Sequence, residues 1–571
     1  MKRRVFALAI AGLMLIALLA ACNDNDDVTT PTPGTPAPTG GDNENGGNDV
    51  VVEDPIEFTL FMEDLVPLRI EENFEGAVSR VITQETGVTL KYRFAVGDAT
   101  EQVVLMIADR SYPDFVFARS MSNTFIDAGA YLDISDFIDQ YGDNIKVMFG
   151  DAYQYLVQPD GSVLFIGTRS AADIPQDPAA GFQLQVAALR EQGWPEVRTI
   201  DQWADVIRNY VAANPTIDGQ PTIGYTITFD EGWRHFITLI NPSLRSVGVA
   251  DDGNYKVDPI TLEVQYAYAI PELKEYYRII NQLNHEGLMD PDSWTQTIDE
   301  YLAKIASGRV VGLSDSYWQY EAGQGVLIAD GKFEQTYVSF PATMSRDILH
   351  PDYRQTAYVP QNGVGITDNC SDPARAVRFM DYLCREETQI LLSWGIEGVH
   401  WEIRDGQRKL TAQEMHDTMT GGDPHAIATA IGFHNYPLPN AGEKLDRNGY
   451  QMNRRADGEI RAAGYNQSIK DAMAAYDVET MRDLFPGPLD LIPSRWGEAW
   501  QIWDTQPADS DFGMLHADMS ALVAEHLTRA LVASPDDFDR LYDDFIDRMN
   551  AAGMDRIGEL ASEILRGIIG E

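Results

Sequence analysis

Past residue 55, hydrophobic and polar positions alternate in two periods that succeed one another along the chain. Ile56–Met62 is a short apolar run of strand type, and a helix with apolar positions at Phe74, Val78 and Ile82 follows it and stops at Gly87. A second strand is predicted over Val88–Phe94, a helix over Glu101–Asp109, and a strand over Asp114–Ala118. Tyr131–Ile138 reads as a strand end turning into a helix capped by Ser135, and Ser162–Gly167 as another strand. Arg169–Gly181, rich in Ala, Asp and Pro, looks like a crossing between domains. Strand plus helix over Phe182–Gln192 opens a second block, followed by a helix with Thr199 or Asp201 as its N-cap. A helix over Pro271–Glu286 carries Leu273, Tyr276, Tyr277, Ile280 and Leu283 on one face and ends at Gly287. After the Tyr301–Ala306 helix, Gly308–Ser314 is a buried strand that empties into Asp315-Ser316-Tyr317-Trp318. Aromatic side chains at a strand exit suit a ligand cleft. This succession of strands and helices defines an α/β fold class.

The start of the chain follows neither period. Lys2, Arg3 and Arg4 precede an unbroken apolar or glycine run, Val5–Ala20. That run is shorter than the roughly 20 residues that span a bilayer, so residues 1–21 are read as a cleaved secretory signal. Leu19-Ala20-Ala21-Cys22 resembles the bacterial lipobox, which makes Cys22 the expected lipidation site. Asn23–Asn48 is nearly all Asn, Asp, Thr, Pro and Gly and cannot bury a core. Residues 22–54 are accordingly a lipidated cysteine and a disordered tether, with a reach on the order of 25–30 Å.

Composition then narrows the partners. A chain of 571 residues with 44% hydrophobic content supports two or more domains. Its formal charge of −45 becomes −48 once Lys2, Arg3 and Arg4 are removed, which makes nucleic acid and anionic lipid poor partners. Cys370 and Cys384 bracket a helical pattern, roughly 21 Å apart along it, so two free thiols are expected rather than a disulfide.

Several stretches taken together resemble, in order, the extracellular solute-binding lipoproteins of ABC importers. They are Pro113-Asp114, the Gln192–Pro195 turn, Gly253–Val257, Leu273–Tyr277, His285–Pro291, Ala306–Val310 and Val364–Ile366. Trp394–Trp401 is similar to a stretch of the large-substrate branch, which includes alginate- and oligosaccharide-binding proteins, and Asp536–Met549 with Gly553-Met554 resembles its closing helices. The resemblance implies a two-lobed, type II periplasmic-binding-protein-like fold, with lobes joined by crossing strands and a ligand cleft between them. On that template lobe one takes residues 55–168 and about 341–400, and lobe two takes 169–340 and about 401–571 with C-terminal helices.

The implied function is a lipid-anchored protein on the extracellular face of the cell membrane. It captures an oligosaccharide, hands it to ABC permease subunits and acts as a monomer without a cofactor. Expected ligand-binding residues are Arg119, Ser120, Trp233, Tyr317, Trp318, Glu397 and His400, with aromatic faces stacking on sugar rings and polar groups taking hydroxyls. Some relatives carry a calcium loop where this chain reads Asn214–Pro221, too poor in oxygen ligands for six-fold coordination, so no metal is carried over. His416, His425 and His434 form no short ligand pattern, and no HExxH, G-x-S-x-G or Walker loop occurs. A surface enzyme acting on glycans and a peptide-binding or sensor-presenting lipoprotein stay open as alternatives.

Overall fold

The computed structural model describes residues 54–570 apart from 64–73, 96–98, 119–120, 159, 169–179, 230–234, 251–252, 352–362, 443, 486–495, 497–501 and 504–505. The signal, Cys22 and the 23–48 tether therefore lie outside the described residues. Nine strands build two sheets: β1 Ile56–Met62, β2 Val88–Phe94, β3 Phe115–Phe117, β4 Phe165–Gly167, β5 Ala180–Gln185, β6 Ile223–Tyr225, β7 Val310–Ser316, β8 Tyr337–Phe340 and β9 Gly363–Ile366. The first sheet runs β2-β1-β3-β9-β4 and the second β8-β5-β7-β6. β1 is parallel to β2 and β3, whereas β9 lies antiparallel between β3 and β4. In the second sheet β5 is antiparallel to β7 and β8, and β7 is parallel to β6.

Each sheet has its own hydrophobic core, which makes the fold two-lobed. Phe58, Leu60, Phe115, Ile366 and Phe379 belong to the first core. Trp203, Tyr276, Tyr277, Phe538 and Phe545 belong to the second. The helices form where the 3.6-residue period supplies a buried stripe. Ala77–Thr86 buries Val78 and Ile82 and ends at Gly87, whose φ of +68° lets its N–H reach the Thr83 carbonyl. Thr199 and Gln202 form a reciprocal capping box at the start of Ile200–Ala213. The helix Leu273–His285 ends just before Gly287, as its pattern predicts.

Two local expectations are corrected. Ser135 does not cap the helix Ser135–Tyr141; the Asp133 carboxylate does that work, accepting the N–H of Ser135 at 3.0 Å and that of Val163 at 3.1 Å. The chain beyond Ser316 is not an open strand exit but the 13-residue helix Tyr317–Ala329. Asn214–Pro221 is a tight hairpin: Thr216–Ile217 pairs with Gln220–Pro221 across Asp218 and Gly219, both at positive φ. Cys370 and Cys384 are buried free thiols at the two ends of the helix Pro373–Leu383.

The chain passes between the cores three times: from Thr168 to Ala180, from Phe340 to Gly363, and from Leu438 in the first core to Ile469 in the second. Between the second and third passages along the chain lies a satellite cluster of Trp394, Trp401 and Leu410. Its centre is a buried ion pair, with Arg408 Nη2 2.6 Å from Asp446 Oδ2. The Arg408 guanidinium also lies 4.8 Å from the ring centre of Trp401 and 5.7 Å from those of Trp394 and Tyr450.

Candidate functional site

The strand registers decide where a ligand can be held. β9 begins at Gly363, opposite Gly167 at the end of β4, and Gly365 pairs with Val116, so β3 ends at the same edge from which the chain leaves for the other lobe. In the second sheet Ser316, the last residue of β7, pairs with Ala180, the first of β5, and Phe340, the last of β8, pairs with Phe182. The ends of β3 and β7 therefore both lie where the connecting segments run. In α/β sheets the crevice beyond the carboxyl ends of strands is the usual ligand site.

At the end of β7 the side chains change character. Ser314, Asp315 and Ser316 are buried, and then Tyr317 and Trp318 each expose 48% of their surface. The Asp315 carboxylate accepts hydrogen bonds from the Tyr301 hydroxyl at 2.6 Å, from the Ser316 N–H at 2.6 Å and from Gln319 Nε2 at 3.0 Å. Burial, with the Asp315 charge beside it, pushes the Tyr301 hydroxyl far up from its ordinary pKa, so it stays a donor. Tyr317 meets Tyr320 edge-on at 5.6 Å, and Tyr320 meets Tyr337 of β8 in the same way at 5.8 Å. Gln324 Oε1 accepts the Tyr337 N–H at 3.0 Å and holds the later turns of the helix. Two large rings thus stand half in solvent on a rigid base.

The end of β3 carries an aromatic that sequence reasoning missed. Tyr436, 37% exposed, packs edge-on against Phe117 with ring centres 5.0 Å apart. Its neighbour His434 is buried and bonds to Ser79 Oγ and to the Tyr92 hydroxyl, each at 2.8 Å, which pins this segment to the first lobe. A few residues on, the Asn440 N–H and Nδ2 both donate to the Thr168 carbonyl, at 3.0 and 2.6 Å, and join the first crossing to the third. Nothing periodic marks Tyr436; the only sequence signal is an aromatic in the irregular stretch Asn435-Tyr436-Pro437-Leu438-Pro439-Asn440.

Among the residues predicted for binding, Tyr317 and Trp318 come together at a strand end that faces the crossings. Arg119, Ser120 and Trp233 lie outside the described residues. Glu397 is exposed on the turn after the helix Glu386–Trp394, and His400 on the same turn is buried, its Nδ1 accepting the Ile396 N–H at 2.9 Å. Burial holds the His400 pKa below its ordinary value, and the nearby Glu414 and the cation of Arg454 act in opposite senses on it. This turn adjoins the Trp394–Trp401 satellite, a different support from that of Tyr317 and Trp318.

The three histidines weighed for a metal have separate partners. His434 bonds to Ser79 and Tyr92, and His425 Nε2 lies 3.2 Å from Glu414 Oε1. His416 sits in the helix Ala412–Thr420, where its carbonyl accepts from Thr420. Among the described residues no group of three or more His, Cys, Asp and Glu is gathered as a metal site would need. A cavity of about 220 Å³, lined by Arg198, Thr343, Arg346 and His350 among others, opens beside the start of the second crossing. Its cations are engaged within the protein: both Arg346 Nη atoms bond to Glu196, and Arg198 Nη1 donates to the Leu484 carbonyl.

Comparison with known proteins agrees with this architecture. Residues 71–390 match the family described as bacterial extracellular solute-binding protein. A fructooligosaccharide ABC transporter substrate-binding protein, FusA of Streptococcus pneumoniae, is 22% identical over 260 residues, 43% of this chain and 47% of that one, so the match spans under half of that relative's own length. Among solved structures, the alginate-binding protein AlgQ2 superposes at a TM-score of 0.56 with 17% identity, over 92% of this chain and 100% of that one. FusA of S. pneumoniae in complex with kestose gives a TM-score of 0.58 at 15% identity, over 90% and 99% of the two chains.

Proposed function

Because the chain belongs to the bacterial extracellular solute-binding protein family, we propose that it captures an oligosaccharide between its two lobes and passes it unchanged to an ABC permease. The observation that carries the sugar reading is the half-exposed Tyr317–Trp318 pair at the carboxyl end of β7. A pyranose or furanose ring presents an apolar face of C–H groups, and large rings held rigidly at a cleft edge match it at low entropic cost. Tyr436, at the end of β3, supplies the aromatic of the opposite lobe. Arg119, Ser120 and Trp233, which lie outside the described residues, are kept as proposed ligand-binding residues on the strength of the sequence alone. Of the pair on the satellite turn, Glu397 takes sugar hydroxyls, while His400, already committed to Ile396, holds the turn. In this reading lobe one comprises the first sheet with its helices and the loop through Leu438, and lobe two comprises the second sheet with the closing helices. FusA and AlgQ2 are named for fructooligosaccharide and alginate, which supports the ligand class.

The chain is further read as a monomer anchored through acylated Cys22 to the outer face of the membrane, its body held off the surface by the tether. Two or more acyl chains give a stable anchor where one does not. Calorimetry of the processed protein against kestose, nystose, alginate oligomers, N-glycan fragments and short peptides tests the function. The expected result is binding of one sugar class at about micromolar Kd, near −8 kcal/mol, with no product formed. Binding of peptides alone overturns the solute class, and new reducing ends after incubation with the pure protein would make it an enzyme.

A further inference from the structure

We propose that Asp315 is the positioning residue of the binding cleft: from inside the second lobe it fixes the first helical turn on which Tyr317 and Trp318 stand. The proposal rests on the oligosaccharide reading above and extends it to a side chain that does not itself face the ligand. Asp315 is 1% exposed. A buried carboxylate survives only where donors replace water, and the donors described for it belong to different places. Tyr301 comes from the helix Ile298–Ala306, Ser316 N–H is the junction of strand and helix, and Gln319 Nε2 comes from the helix's first turn.

The main chain at Asp315 is held equally firmly. Gln183 of β5 accepts the Asp315 N–H with Oε1 at 3.0 Å and donates Nε2 to the Asp315 carbonyl at 2.9 Å. The same Nε2 donates to Ser339 Oγ of β8 at 2.8 Å. Ser316 stands at the N-cap position of the helix Tyr317–Ala329 but its side chain makes no capping bond. The carboxylate one residue earlier instead ties the Ser316 N–H to the Gln319 side chain and places a negative charge near the positive end of the helix. Tyr317 and Trp318 are therefore the first two residues of a turn that Asp315 braces at its start, through Ser316 and Gln319.

Without that support the turn frays, and each binding event must then order two rings that the native protein presents already ordered. Two substitutions separate this effect from simple loss of fold. Asp315→Asn keeps the shape and removes the charge. Tyr301→Phe removes one hydroxyl from a side chain with no exposed surface. Both are made in the full chain, and each is also combined with Trp318→Phe, so that subtraction isolates the Trp318 emission from that of the other tryptophans.

The expected result is about tenfold weaker kestose binding for Asp315→Asn and a smaller loss for Tyr301→Phe. The Trp318 difference spectrum should move to the red and become more readily quenched by acrylamide, with a melting temperature close to that of the unsubstituted protein. If the Trp318 spectrum stays unchanged in both variants, the proposal is overturned, even where affinity falls, because the loss would not then run through the aromatic pair. If the spectrum responds and the unsubstituted protein binds no sugar, the positioning role stands and the oligosaccharide reading falls.

Discussion

Replacing Trp318 by Ala is the most direct test of the cleft, and its size follows from exposure. Trp318 presents 48% of its surface to solvent. On a tryptophan that can bury as much as about 250 Å², this leaves on the order of 120 Å² for a ligand to cover. At about 25 cal/mol per Å², covering all of it contributes about 3 kcal/mol, and covering one ring face about half of that. Trp318→Ala should therefore weaken binding of the preferred sugar by about tenfold to a hundredfold. Since that surface already faces solvent, its removal should shift the melting temperature little. The assay is calorimetry at matched concentrations beside thermal melts, with Ile260→Ala, at an 85% exposed apolar site on lobe two, as the control that should change neither. An affinity for every bound sugar unchanged to within about twofold, in a protein that melts normally, would refute the stacking role of Trp318.

Other outcomes follow from the same structure. Burial holds the pKa values of His516 and His400 below the ordinary histidine value of 6.5, so the unfolded chain takes up protons at these positions before the fold does. Stability should be complete above that pH and fall as the pH drops below it; a melting temperature level from pH 7 to pH 5 would contradict this, and His516→Gln should flatten part of the slope. Asp446→Ala strands the buried Arg408 charge and should cost about 3–5 kcal/mol in denaturant unfolding, with partial recovery when Arg408→Met is added. Because the Asn214–Pro221 stretch closes as a two-residue hairpin, EDTA should leave the melting temperature unchanged, and a drop reversed by Ca²⁺ would reveal a site.

What could be read from the sequence divides along physical lines. Strands β1, β2 and β7 and the helices ending at Gly87 and before Gly287 were legible because burial imposes a period on residues close together in the chain. The aromatic pair was legible for a similar reason, since Tyr317 and Trp318 directly follow a buried strand. The helix they begin was not. Its apolar residues are spread around the axis, and Gly323 sits inside it because a Cβ there would come within 2.9 Å of Ile305 Cγ2 and of the Leu302 carbonyl. A glycine that lets two helices approach looks, in sequence, like a helix breaker. Asp133 replaced Ser135 as the cap because its second bond, to Val163, lies 30 positions away. His434 and Tyr436 were hidden by far longer separations along the chain: His434 is explained by Ser79 and Tyr92, and Tyr436 by Phe117, and no local pattern joins them.

The energetics also say why one lobe cannot suffice. Covering Trp318 contributes at most about 3 kcal/mol, while a micromolar complex needs about 8 beyond an association cost of at least 4 kcal/mol. Tyr317, equally exposed, narrows that gap without closing it, because a sugar ring on one stacking surface leaves its other face and most hydroxyls in water. The balance has to come from lobe one, where the end of β3 and Tyr436 stand at the edge crossed by the connecting segments. Where the first and third of those segments leave lobe one, Asn440 on the Thr168 carbonyl fastens them together, so a closing motion moves these two points in step. In the proposed reading, binding strength is then a property of closure: aromatics such as Trp318 select the sugar, and the arrival of lobe one supplies the affinity that retains it.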